Sequence, residues 1–335
     1  MSPKNLITDV AGILVGNAHS RTAKTGVSAI VCETPTCASC HVMGGAPGTR
    51  ETDLLAPENT MTGINGLFLS GGSAFGLDAG SGIQAWMRKQ SIGYAVGDQR
   101  IPIVPGAILF DMLNGGDKQW GKYPPYRDLG YEAAATAAAD FQIGTAGAGY
   151  GATVANLKGG LGSASMTMAN GITIGALVAV NALGSPTIAS TGHFWAAPFE
   201  KNAEFGGLGF PAAMPADADV PIIKFREHLM PATNTTIAVI ATDAKLDKAE
   251  AKRLAIAAHD GFARALYPVH TPHDGDIVFS LATGKKAKPT DRAEWTDLCA
   301  YAAATMSRAI ARGIYEATPE KNDIFPCWQE KYGAK

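Results

Sequence analysis

Asn234-Thr235-Thr236 stands directly before the alternating apolar run IAVIATDA, and His273-Asp274-Gly275-Asp276 stands directly before a second apolar run, IVFSLATG. A threonine hydroxyl is inert at neutral pH. If Thr235 becomes an N-terminus, however, its own α-amino group, with a reference pKa near ~7.7–8.0, can take the hydroxyl proton, so one residue holds nucleophile and base. Freeing it requires the Thr235 hydroxyl to attack the carbonyl of Asn234, giving an ester that water hydrolyses. The triplet also reads as an ordinary turn, since Asn and Thr are common turn residues, and it satisfies the N-x-[ST] glycosylation pattern. Asp274 and Asp276 read either as a polar turn or as paired carboxylates that orient a nucleophile and balance its ammonium. Lys158 is the only formally charged side chain across residues 141–199. In a Gly-rich turn it is a solvated lysine; in apolar surroundings it is an acid, base or oxyanion partner with a depressed pKa.

These residues need elements to hold them. Periodicity predicts strands over 26–33 and 65–72, the latter running into a small-residue helix, SAFGLDAGSGIQAWMRK. A helix is predicted over 128–140, a strand over 171–186 that ends in a turn, and a strand over 235–243. Residues 246–266 give the clearest helix, with Asp247 and Glu250 as a capping box and Leu254, Ala258, Phe262 and Leu266 at i, i+4 spacing. A strand over 276–284 and a helix over 290–316 follow, and Cys299 falls in the apolar pattern of that helix. The stretch 199–230, with several prolines and mixed charge, is the loosest, and it lies just before Thr235. A chain can be cut there without losing its core.

The 335 residues, 39 of them glycine, bury a sizeable core with many tight turns. A formal charge of −2 with no basic run gives no reason to expect nucleic acid or an anionic membrane as partner. No apolar run approaches the ~20 residues of a membrane span, and the first residues lack a signal-peptide pattern, so a cytoplasmic location is expected and the sequon is a chance match. Five cysteines in a reducing compartment argue against disulfides. CASCH (37–41) has the form of a c-type haem attachment site, but without export its cysteines read as core or surface residues. GAGYGA (147–152) fits a dinucleotide fingerprint, yet no acid lies between Asp140 and Glu200, which rules that reading out. GGSAFG (71–76) is not a nucleophile elbow, because Phe75 stands where glycine is needed.

Six colinear segments carry a resemblance: MGGAPGTRETDLL (43–55), LSGGSAFGLDAGSG (69–82), AGAGYGATVANLKGGLGSAS (146–165), LVAVNALG (177–184), NTTIAVIATDA (234–244) and HTPHDGDIVFSLATG (270–284). Together they resemble the DmpA-like family of self-processing N-terminal-nucleophile hydrolases, which includes aminopeptidase/esterases, β-peptidyl aminopeptidases, pantetheine hydrolases and nylon-oligomer hydrolases. The resemblance implies an α/β fold, a four-layer αββα sandwich of the DmpA/ornithine-acetyltransferase type, formed by residues 1–335 as one domain. It implies cleavage into a large subunit, 1–234, and a small subunit, 235–335, which stay together and form a homo-oligomer, a tetramer of processed pairs. Thr235 matches the nucleophile and Asn234 the residue before the cut. Asn181 matches the family asparagine of the oxyanion hole, a role suited to an amide donor, and Asp274 and Asp276 match the acidic pair. Lys158 stands in KGG, as in the aminopeptidase branch. Phe110-Asp111 replaces the Tyr-Asp of the nylon-oligomer hydrolases, which removes a phenol from the substrate side. The expected activity is hydrolysis of a small peptide or amide through an acyl-enzyme, with no metal or organic cofactor. Three alternatives stay open: a nylon-oligomer (6-aminohexanoate) hydrolase, an acyltransferase of related fold, in which an amine resolves the acyl-enzyme, and a catalytically silent scaffold.

Overall fold

The computed structural model of the chain describes residues 3–224, 226 and 234–333. Two sheets share one long strand, β2 (Thr25–Val42). The first half of β2 pairs antiparallel with β1 (Ile13–Ser20) on one side and with β4 (Ile64–Ser70) on the other. Beyond β4 lie β7 (Gly106–Ile108) and β3 (Thr49–Arg50). A register shift between Val31 and Thr36 carries β2 into the second sheet, where Cys37–Val42 pair with β11 (Ile277–Lys286). That sheet continues through β10 (Ile237–Ala244) and β9 (Thr173–Val180) to β8 (Gly160–Thr167). Two short strands, β5 (Tyr94–Val96) and β6 (Gln99–Ile101), form a separate hairpin.

Period-two patterning builds the layers. In β10, Ile237, Val239 and Ala241 face the inter-sheet core with Leu67 and Leu69 of β4 and Phe279 of β11. Ala238, Ile240 and Ala244 face the opposite way, onto helices α3 (Lys248–Ala263) and α4 (Arg292–Tyr315). On the far side, Val27, Ala29, Val31 and Phe68 of the first sheet meet α1 (Ala79–Lys89) and α2 (Tyr126–Ala135). The order of layers is therefore helix, sheet, sheet, helix: the αββα sandwich. A last short helix, α5 (Trp328–Tyr332), packs its Trp328 on Tyr315 of α4.

The capping box of α3 forms as the sequence predicts: Glu250 N–H donates to Asp247 Oδ1 at 2.8 Å, and Asp247 N–H to Glu250 Oε2 at 2.9 Å. β4, β10, β11 and the long C-terminal helix also fall where periodicity puts them, to within about two residues, whereas β9 ends at Val180 rather than at 186 and β2 runs on to Val42 rather than stopping at 33. The helix expected over 128–140 ends at Ala135, because Ala138 instead exchanges backbone hydrogen bonds with Val15 at the edge of β1. Two eight-residue strands, β1 and β8, and the short strands β3, β5, β6 and β7 are not anticipated from the sequence. CASCH lies inside β2, where residues three apart point to opposite faces. Cys37 packs toward α3 and α4 and Cys40 into the inter-sheet core, so the two thiols do not converge. Among the described residues, no helix is long and apolar enough to cross a membrane.

Candidate active site

Topology explains how distant residues meet. Strands β10 and β11 run parallel, so both begin at the same end of the sheet, and β9, antiparallel to β10, finishes there. Asn181 follows the last residue of β9, Asn234-Thr235-Thr236 precede β10, and Asp274-Gly275-Asp276 precede β11. Asn234 and Asp274 extend the parallel ladder as a bridge.

The resulting contacts are dense. Thr235 N–H donates to Asn181 O at 3.1 Å, which fixes the residue against the end of β9. Thr235 Oγ1 lies 2.5 Å from Asn234 O, and Gly275 N–H donates to that same carbonyl oxygen at 3.0 Å. Gly275 is required between the two acids, because a Cβ there would sit 2.6 Å from Ala46 O and 2.7 Å from Thr235 Oγ1. Asp276 Oδ1 accepts Thr236 N–H at 2.8 Å. Asp274 accepts from Leu183 N–H at 3.3 Å, Thr271 N–H at 3.1 Å and Thr271 Oγ1 at 2.7 Å. Burial, reinforced by the Asp276 charge, raises the Asp274 pKa, so Asp274 takes up a proton more readily than an ordinary aspartate.

The Asn181 side chain is held at both ends. Its Oδ1 accepts Thr153 N–H at 2.9 Å and its Nδ2 donates to Phe110 O at 3.0 Å. An amide nitrogen carries two hydrogens, so one stays available for an oxyanion. Next to Phe110, the buried Asp111 accepts Gly72 N–H at 2.8 Å, where Gly72 takes the left-handed conformation, φ +88°, of the LSGG turn.

Lys158 sits apart from this cluster. Its ammonium is bound by Asp323 Oδ2 at 2.6 Å, with Lys24 on the other oxygen at 2.6 Å. It approaches Asn181 only through the backbone bridge between Lys158 and Thr153. A different lysine, missed in the sequence, stands closer to the acids. Lys224 donates its backbone N–H to Leu183 O at 3.1 Å and its Nζ to Thr153 O at 2.8 Å. Burial holds its pKa down at about 7, against the opposing pull of Asp274. The available signal was a lysine flanked by apolar residues, Ile222-Ile223-Lys224-Phe225, shortly before the triplet.

Peptidase family S58 matches this chain over residues 5–323. The chain belongs to that family. An uncharacterized aminopeptidase of Mycobacterium tuberculosis is 40% identical over 348 residues, spanning 96% of this chain and 98% of the relative. A 6-aminohexanoate-oligomer endohydrolase of a Kocuria strain is 26% identical over 292 residues, spanning 84% of this chain and 76% of its own. Among solved structures, the L-aminopeptidase D-Ala-esterase/amidase of Ochrobactrum anthropi, described as a variant of the Ntn-hydrolase fold, superposes with a TM-score of 0.70 at 22% identity, over 97% of this chain and 89% of that one. This S58 chain is accordingly a hydrolase of peptide or amide bonds. At the start of β10 the structure gathers the Thr235 hydroxyl, the Asp274 and Asp276 carboxylates of the neighbouring turn and the Asn181 residue whose carbonyl accepts Thr235 N–H.

Proposed function

We propose that this S58 hydrolase is a self-processing amidase or aminopeptidase whose nucleophile is Thr235. The observation that carries the reading is the environment of the Asn234 carbonyl. Its oxygen is 2.5 Å from Thr235 Oγ1 and accepts Gly275 N–H at 3.0 Å. The bond to be cut thus has its hydroxyl adjacent and a backbone donor already on the oxygen that becomes negative.

In processing, Thr235 Oγ adds to the Asn234 carbonyl carbon and its proton passes to a nearby base. The C–N bond then breaks, the Thr235 nitrogen leaves as an amine, and an ester joins Asn234 to Oγ. Water hydrolyses that ester, freeing an Asn234 carboxylate and a Thr235 N-terminus. In turnover the free amine takes the Oγ proton, Oγ attacks the substrate amide, and the leaving amine is protonated as the tetrahedral adduct collapses. Asn181 Nδ2 donates to the oxyanion. Asp276 anchors the strand start, and Asp274 balances the Thr235 ammonium. Water resolves the acyl-enzyme. The aminopeptidase name of the relative at 40% identity favours peptide substrates over aminohexanoate oligomers. Residues 1–234 and 235–335 stay together as subunits, since β10 and β11 are hydrogen-bonded between β9 and β2. Cytoplasmic location and assembly into a homo-oligomer belong to the same reading.

Intact-mass measurement tests it. The expected fragments end at Asn234 and begin at Thr235, Thr235→Ala stays whole, and Thr235→Ser retains some cleavage. Efficient cleavage of Thr235→Ala, or an uncut and active wild type, removes Thr235 from its role. Product analysis with and without an added amine separates hydrolysis from acyl transfer.

A further inference from the structure

Behind Asp276 lies a column of histidines, His259 buried and His270 and His41 half-buried, that the proposed chemistry does not use. His270 Nδ1 is 2.9 Å from Asp276 Oδ2, and the His270 backbone N–H donates to the same oxygen at 3.2 Å. A carboxylate only accepts, so the neutral His270 ring carries its proton on Nδ1. The ring stacks on Phe262 of α3 (centroids 5.4 Å, interplanar angle 22°) and meets His259 of α3 edge-on at 4.8 Å. His259 Nε2–H in turn donates to His41 O on β2 at 2.9 Å. Burial pushes the His259 pKa down to about 4, so at neutral pH this ring supports His270 without adding charge. His270 itself takes a left-handed backbone conformation, φ +55°, which is uncommon for a residue with a side chain and is kept only where the surroundings demand it.

We propose that His270 is a positioning residue for the Thr235 site. By fixing Asp276 Oδ2 with two donors, it holds the other oxygen, Oδ1, on Thr236 N–H, one residue from the nucleophile. The inference rests on the reading of Thr235 as nucleophile. The groups facing this pair are named by their elements: Asp274 across Gly275 on the same turn, with Lys224 beyond it; His259 on α3; and His41 on β2, near Lys252 and Arg253 of α3. None of these supplies a third donor to Asp276 Oδ2 among the described residues.

Two amide substitutions separate positioning from packing. An Asn amide nitrogen falls near the place of Nδ1, and Asn tolerates the left-handed backbone, whereas the Gln amide reaches toward the place of Nε2. His270→Gln is expected to lower kcat by about 10²-fold, the cost of a ~1 Å misplacement, with KM little changed. His270→Asn is expected to keep kcat within about tenfold of the wild type, because its amide nitrogen restores the donor to Asp276 Oδ2. In an Asp276→Asn background, His270→Gln adds nothing further. The rate of cleavage at 234–235, followed by mass, orders the variants in the same way and serves when a variant does not process to completion. Equal behaviour of Gln and Asn, or full additivity with Asp276→Asn, overturns the proposal. A wild type that hydrolyses amides without needing Thr235 overturns the nucleophile assignment instead, which the Thr235→Ala control reveals independently.

Discussion

Lys158 and Lys224 are buried to the same degree, 3% and 4% exposed, but their charges are met differently. Lys158 faces a carboxylate at 2.6 Å, whereas Lys224 Nζ donates to a neutral carbonyl oxygen at 2.8 Å. Burial therefore lowers the Lys224 pKa from 10.5 to about 7. Between those values the unfolded chain binds a proton that the folded chain lacks. The contribution of Lys224 to stability is full above about 10.5 and is lost as pH falls to about 7. Lys224→Met is expected to flatten that dependence and to raise stability at pH 7 by a few kcal/mol, measured by urea melts across the window. An unchanged slope means that the amine is not desolvated. Lys158→Met is expected to destabilise by about 3 kcal/mol, since Asp323 loses one of its two cations. The sequence singled out Lys158 for its distance along the chain from any acid, and that distance says nothing about Asp323, which arrives from the C-terminal segment. Thr235, Asp274 and Asp276 stood out as candidates because each adjoins a readable strand, whereas Asn181, inside the strand expected over 171–186, was marked only by the family resemblance. Lys224 lies in the stretch with least pattern, and the Gly275 N–H is backbone, which residue type does not announce.

The two longest strands that the sequence did not reveal, β8 and β1, share one physical cause. In β8 (GLGSASMT) the glycines read as turn residues, yet they are a flat surface on which α4 lies. A Cβ on Gly162 would stand 1.8 Å from Ala309 O, and one on Gly160 2.1 Å from Gly313 O. In β1 the same relation holds with α2, where a Cβ on Gly16 would lie 1.9 Å from Ala133 O. Strand propensity scores the side chain and so misses a strand selected for having none. Gly162→Ala is expected to push α4 off the sheet and cost at least ~1–3 kcal/mol, read as a lowered Tm. A Tm unchanged within error shows that the helix can shift without loss. The elements that were legible, β10, β11, α3 and α4, carry apolar side chains at their own period and, in α3, a complete cap.

At the scale of the whole molecule, the layer order followed from the resemblance of six ordered segments and not from periodicity, which predicts elements but not their stacking. The sharing of β2 between both sheets was not read from the sequence, although Pro35, which has no N–H to give a ladder, falls within the register shift between Val31 and Thr36. That arrangement places β10 and β11 in the interior of their sheet, between β9 and the second half of β2. A break at 234–235 therefore produces two polypeptides woven through one sheet, each contributing strands that border the other's. Such a protein keeps its shape when cut, but its route back after denaturation changes in kind. Refolding of the uncut Thr235→Ala chain is unimolecular, while reassembly of separated fragments is a second-order encounter in which an internal gap in the sheet must be refilled. The unfolding midpoint of the cut protein is expected to rise with protein concentration and that of Thr235→Ala to stay fixed, as melts over a hundredfold dilution series would register. Under the cleavage proposed at 234–235, maturation acts as a ratchet: the chain folds once as a single polypeptide, and the cut enzyme is left in an order that its separated fragments do not readily repeat.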